Sequence, residues 1–179
     1  MGFFYKPLET TNLNELKNHK KKIYIAYLKT QNIRGFIITS SIELEFVVNN
    51  LIRTYYCIHK PKEFRHIKFW RDILNNLSFE KKIKIVKNIS IHKKRLFRIK
   101  YIDFIKRLDN IRIIRNKIAH NSFLVGRNMN IYLQTRIGYY SKHEVINKSF
   151  KKRFKKETTE LMDMCIKLEN YISKINKEQ

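Results

Sequence analysis

Residues 33–58, IRGFIITSSIELEFVVNNLIRTYYCI, decide how the chain folds. Ile33, Ile37, Ser40, Leu44, Val48, Leu51 and Tyr55 recur at intervals of three and four, and Phe36 and Val47 widen the stripe. That is the period of a helix with one face on a core, so this segment is the expected spine of a mainly α fold. Glu43 and Glu45 flank the stripe, each about 100° from Leu44 on an ideal helix. They stand at the core's edge, either in ordinary ion pairs or in support of a site. Pro61 ends the helix or follows its end closely.

Upstream, residues 8–30 read as a separate first helix, capped by Asn12 or Asn14, with Leu13, Leu16, Ile23, Ala26 and Tyr27 on its apolar side. Its His19-Lys20-Lys21-Lys22 run is a solvated face or a phosphate contact. Downstream, residues 64–77 form a shorter helical segment whose Phe69, Trp70, Ile73 and Leu74 read as core. Ser78 caps the next helix, with Glu80 at the positive end of its dipole and Ile83, Ile85, Val86 and Ile89 on its face.

Beyond the basic His92–Arg95 connection, Tyr101, Phe104, Ile105, Leu108, Ile111, Ile114 and Ile118 restore the helical rhythm. Residues 123–125 and 129–137 then alternate and are β-prone, which predicts a small hairpin at about 122–140 turning at Arg127-Asn128, with Gly138–Ser141 releasing its second strand. A last helix is expected at about 149–175. Phe150, Phe154, Leu161, Cys165, Leu168, Ile172 and Ile175 give it a near-heptad stripe, broken only by Thr158, opposite a basic face of Lys151, Lys152, Arg153, Lys155 and Lys156. This helix closes the bundle or pairs with another subunit. Nothing resembles a linker or a repeat, so residues 1–179 are expected to form a single domain.

Thirty-nine Lys and Arg stand against 15 Asp and Glu, a formal charge of +24. AT-rich codon usage inflates lysine but does not explain scarce acids, so a polyanionic partner is expected. Cys57 and Cys165 sit among apolar neighbours and read as buried reduced thiols, and the histidines show no zinc-ligand spacing. The apolar run at Gly2–Tyr5 is too short for a signal peptide, and no segment reads as a membrane span of about 20 apolar residues. The expected location is the cytoplasm, without a membrane partner.

At the end of the fourth helical pattern stands Arg115-Asn116-Lys117-Ile118-Ala119-His120. Arginine offers a permanently charged, forked donor suited to phosphate, and histidine is the side chain whose proton moves most readily near neutral pH. Five residues of ideal helix turn about 500°, which leaves Arg115 and His120 roughly 140° apart. Either the helix unwinds near Ala119-His120, helped by Asn121-Ser122, or a second subunit completes the pair. Taken singly, His120 also suits a macrodipole contact at a helix C-terminus, and Arg115 a salt bridge to Asp109 or to an acid on another helix.

Arg-Asn-x-x-Ala-His at a helix end resembles the RxxxxH motif of the HEPN superfamily, helical nucleic-acid enzymes of prokaryotic conflict systems. The flanks Leu108–Ile114 and Asn121-Ser122 look similar too, and Ser40–Glu45 more loosely resembles the family's acidic position ahead of the motif. The resemblance implies a HEPN-like helical bundle with the β-hairpin inserted before the C-terminal helix. It also implies a homodimeric endoribonuclease of toxin or phage-defence type, working without metal or cofactor and giving 2′,3′-cyclic phosphate and 5′-hydroxyl ends. In that reading His120 moves the proton, Arg115 holds the phosphate, Asn116 orients His120 or the phosphate, and Glu43, or in second place Glu45, positions Arg115. Lys117, Lys20, Lys21, Arg112, Lys151, Lys152 and Arg153 would contact RNA, and an antitoxin or activator protein is a further expected partner. The alternatives are a non-catalytic HEPN module that binds RNA or nucleotide, or that partners a nucleotidyltransferase antitoxin, and a basic helical DNA-binding protein.

Overall fold

Leu13–Tyr56 is one uninterrupted helix of 44 residues, α1, in a computed structural model that describes residues 13–57, 64–92, 100–125, 131–137 and 140–177. The two helices expected at 8–30 and 33–58 are therefore one over the described range. Nothing between them breaks a helix: Gln31 and Asn32 are tolerated in its interior, and the Thr30 hydroxyl donates to the Tyr27 carbonyl 2.6 Å away. The buried stripe also runs through the junction, from Ala26 and Thr30 to Ile37, Ser40, Leu44, Val48 and Leu51.

Among the described residues four more α-helices follow: α2 at Phe64–Asp72, α3 at Phe79–His92, α4 at Lys100–His120 and α5 at Lys148–Lys177. Between α4 and α5 lie β1 (Ser122–Val125), β2 (Ile131–Ile137) and β3 (Tyr140–Ile146), an antiparallel sheet in that order. The fold is mainly α, as expected, but the hairpin has a third strand. Residues 140–146 carry Ser141, Lys142, His143 and Glu144 in a row, too polar a run to read as a strand, yet their backbone pairs with β2 from Ile137↔Tyr140 to Ile131↔Ile146. The expected turn at Arg127-Asn128 and the release at Gly138-Tyr139 lie outside the described residues.

The chain sorts into two compact units, each drawn from separate stretches of sequence: residues 1–39 with 115–155, and residues 40–114 with 156–179. In the first, Ala26 and Ile37 of α1, Ile118 of α4, Phe123, Ile131, Leu133 and Ile146 of the sheet, and Phe154 of α5 are buried. Phe123 faces Leu133 across β1 and β2, the kind of cross-strand apolar pair that fixes register. Asn147 starts α5, its Oδ1 accepting from the Phe150 amide at 2.9 Å, as an N-cap does.

In the second unit the stripes read from the sequence meet as a core: Leu44, Val48 and Leu51; Ile83, Val86 and Ile89; Phe104, Leu108 and Ile111; Leu161, Cys165, Leu168 and Ile172. Thr158 is buried with them, so the α5 stripe continues through it. Ser78 caps α3 through a long 3.4 Å contact from the Lys81 amide. Ile73, expected in the core, is 48% exposed, because α2 ends at Asp72 and a 3-10 turn at Leu74–Asn76 puts Leu74 inside instead. Trp70 is half-buried, edge-on to Phe46 at 5.5 Å. Cys165 is buried as expected, while Cys57 is only half-buried, just past α1.

Charged groups tie this unit together. Arg107 on α4 forks onto Glu157 (2.6 and 3.1 Å) and reaches Glu160 (2.6 Å) on α5; the Glu157 hydrogen bond leads in pushing its guanidinium further above its usual range. Lys82 on α3 donates to Glu45 of α1 at 2.6 Å.

One described helix is long and apolar enough to cross a membrane by length and composition alone. An 18-residue window within Lys20–Tyr56 has a mean hydropathy of 1.3, with 44% of it buried inside the protein. The expectation that nothing approaches a span is corrected on that point. Leu44, Val48, Leu51 and Ile52 supply much of this apolarity and are fully buried.

Candidate nucleic-acid site

The Arg115–His120 stretch is the last turn and a half of α4, and that helix stays regular through His120. Asn121 caps it. Its amide N–H and its side-chain Nδ2 both donate to the Lys117 carbonyl, at 2.9 and 2.8 Å, which satisfies an acceptor that a helix end leaves open. The unwinding at Ala119-His120 that would have let Arg115 and His120 converge does not occur, because Asn121 closes the last turn instead of loosening it. β1 begins one residue later, so buried Ile118 on one side and buried Phe123 on the other pin the helix end.

On this regular helix Asn116 and His120 are four residues apart and share a face. Both are exposed, whereas Arg115 and Lys117 are half-buried. The arrangement therefore presents an amide beside an imidazole to solvent, with the Arg115 direction about 140° away.

Arg34 on α1 is the residue that sequence reasoning missed. Its Nη2 donates to the Asn121 carbonyl at 3.1 Å, and its guanidinium lies 5.0 Å from the Phe123 ring centroid. A cation at the negative end of a helix is favourable, and this one also braces the junction that carries His120. A lone arginine beside Gly35 gave no signal, since its partners are about 90 residues further along the chain.

Glu43 and Glu45 belong to the second unit; Glu43 is exposed, and the Glu45 carboxylate answers the ammonium of Lys82, a side chain only 4% exposed. Of the expected RNA contacts, Arg112 is also in the second unit, with its guanidinium held by Asp109 at 2.6 Å and near Glu80 at 3.9 Å. Lys151 sets its ammonium 4.5 Å above the Phe36 ring. Lys20, Lys21, Lys152 and Arg153 are exposed in the first unit, together with half-buried Lys117. No group of three or more His, Cys, Asp or Glu able to hold a metal ion occurs among the described residues.

Charge is distributed unevenly between the units. The stretches that make the first unit carry 17 Lys and Arg against three acids, Glu9, Glu15 and Glu144, while those of the second carry 22 against 12. The unit that bears the Arg115–His120 stretch is thus the more cationic, although it is the shorter. A surface of one sign raises the local concentration of an oppositely charged polymer. No family model, curated protein or solved structure matches the chain, so what its site does rests on these residues and their placement.

Proposed function

We propose that the protein is a metal-independent endoribonuclease of HEPN type, working in the cytoplasm as a homodimer and serving as a toxin or phage-defence effector. The single observation that carries this reading is the exposed Asn116–His120 pair at a capped helix end, set in the strongly cationic unit. In this mechanism His120 takes the proton of a ribose 2′-hydroxyl, or gives one to the departing 5′-oxygen, as the 2′-oxygen attacks the adjacent phosphorus. General acid–base help of this kind contributes about 10²–10⁴-fold. Asn116, on the same face, holds the imidazole or a phosphate oxygen in place. Arg115 stabilises the charge that grows on the phosphate, the kind of electrostatic contribution that is usually largest. Because a regular helix turns Arg115 away from its own His120, the arginine that serves each histidine comes from the partner subunit.

Labelled RNA and DNA of one sequence, incubated with the protein in EDTA, test this reading. RNA cut to 2′,3′-cyclic phosphate and 5′-hydroxyl ends, with DNA spared and His120→Ala at least about 100-fold slower, supports it. A wild-type protein no more active than His120→Ala would falsify it, and tight RNA binding without cleavage points to the non-catalytic RNA-binding module.

A further inference from the structure

The exposed face of the first part of α1 combines lysines with aromatic rings in an order that no core explains. Tyr24, Tyr27 and Leu28 are 61%, 43% and 46% exposed, and Lys17, Lys20 and Lys21 are exposed one and two turns before them. On an ideal helix all six lie within about 60° of the Tyr24 direction. Buried Ala26 and Thr30 lie about 160° and 120° from the Tyr24 direction, so the stripe centred on Tyr24 faces away from the core that α1 serves. It belongs to the unit with 17 basic and three acidic residues.

We infer that this stripe is a platform for single-stranded nucleic acid, with phosphates held by Lys17, Lys20 and Lys21 and bases stacked on Tyr24 and Tyr27. Charge complementarity chooses the occupant. A second copy pairing through this same stripe would set Lys17, Lys20 and Lys21 against their own counterparts, and like charges facing each other oppose that pairing. A bilayer needs a long continuous apolar face, whereas this one lasts about a turn and a half before the lysines on one side and Gln31 on the other. A strand with unpaired bases supplies both an anion at every nucleotide and a π-face for each ring, and a duplex hides the second of these. The inference rests on the nucleic-acid reading of the cationic unit and not on cleavage by His120.

Binding is measured by fluorescence anisotropy on the full-length His120→Ala protein, so that cutting and holding are read separately. The probes are a labelled single-stranded RNA, its duplex, and an abasic oligonucleotide with the same number of phosphates. The single strand is expected to bind at least about tenfold more tightly than the abasic strand, since each stacked base contributes on this scale. Tyr24→Ala with Tyr27→Ala removes that preference and leaves the salt dependence unchanged, while Tyr24→Phe with Tyr27→Phe keeps it. Lys20→Gln with Lys21→Gln flattens the slope of log K against log salt by roughly 1.4, at about 0.7 per phosphate on a single strand, and retains the base preference.

Equal affinity for abasic and intact strands overturns the inference. So does a double Tyr→Ala variant that keeps the base preference but loses self-association in sedimentation or binding to anionic vesicles, because the face would then serve a second copy or a lipid surface.

Discussion

Glu43 and Glu45 stand two residues apart on α1 and have different work. Glu45 neutralises the buried ammonium of Lys82 at 2.6 Å, so Glu45→Ala leaves a charge inside the second unit without that carboxylate and is expected to cost about 3–5 kcal/mol. Glu43 is exposed, and Glu43→Ala should stay within about 0.5 kcal/mol; urea unfolding of the two variants checks the contrast. The sequence put both acids at the edge of the stripe and favoured Glu43 for the site; the Glu45–Lys82 pair was illegible because Lys82 is 37 positions further on and its burial belongs to the packed unit. Arg34 was illegible for the same reason, while Arg115, Asn116 and His120 were visible as a spacing.

Cys165 gives a second test at this scale. Burial, with help from Glu169, pushes its thiol from an ordinary 9.0 up to about 12. At pH 8 about one such thiol in ten thousand is ionised, so a thiol reagent should reach half-buried Cys57 and leave Cys165 untouched until the protein unfolds. Because the folded state holds this proton and the unfolded state releases it, stability attributable to Cys165 is complete below pH 9 and falls as pH rises toward 12. Rapid labelling of both cysteines in the native protein contradicts the packing described for α5.

Whole elements were legible where apolar residues recur at three and four, as in α3, α4 and α5. They were not where the signal is pairing or continuity. β3 is a strand because β2 supplies hydrogen-bond partners along its length, and α1 is one helix because no residue at 31–35 stops it. Gly35 sits in that stretch, and a Cβ added there meets nothing within 4 Å. Gly35→Ala should therefore stabilise the protein by about 0.5–1 kcal/mol, since glycine in a helix interior carries an entropic cost that alanine does not. Thermal unfolding reads the gain, and a loss of stability would show that the helix does need glycine at that position.

For the whole molecule, composition raised the expectation of a polyanionic partner but not of where it would bind. The charge asymmetry emerges only when residues 1–39 are grouped with 115–155, stretches that the linear sequence keeps apart. RNA affinity should accordingly fall steeply with salt, by about 0.7 log units per log unit of salt for each phosphate contacted on a single strand. Lys20→Gln and Lys152→Gln in the cationic unit should reduce that slope more than Lys84→Gln, whose charge already meets Glu80 at 2.7 Å.

The helix that stays regular through His120 makes the central claim specific: each site draws His120 from one copy and Arg115 from the other. Mixing Arg115→Ala protein with His120→Ala protein, after subunit exchange, tests this most directly. Each alone should be inactive on RNA in EDTA, and the mixture should recover about one quarter of wild-type activity, because half of randomly paired dimers hold one intact site of two. A mixture as inactive as its components, beside an active wild type, would contradict the split site, and an inactive wild type would contradict the account as a whole.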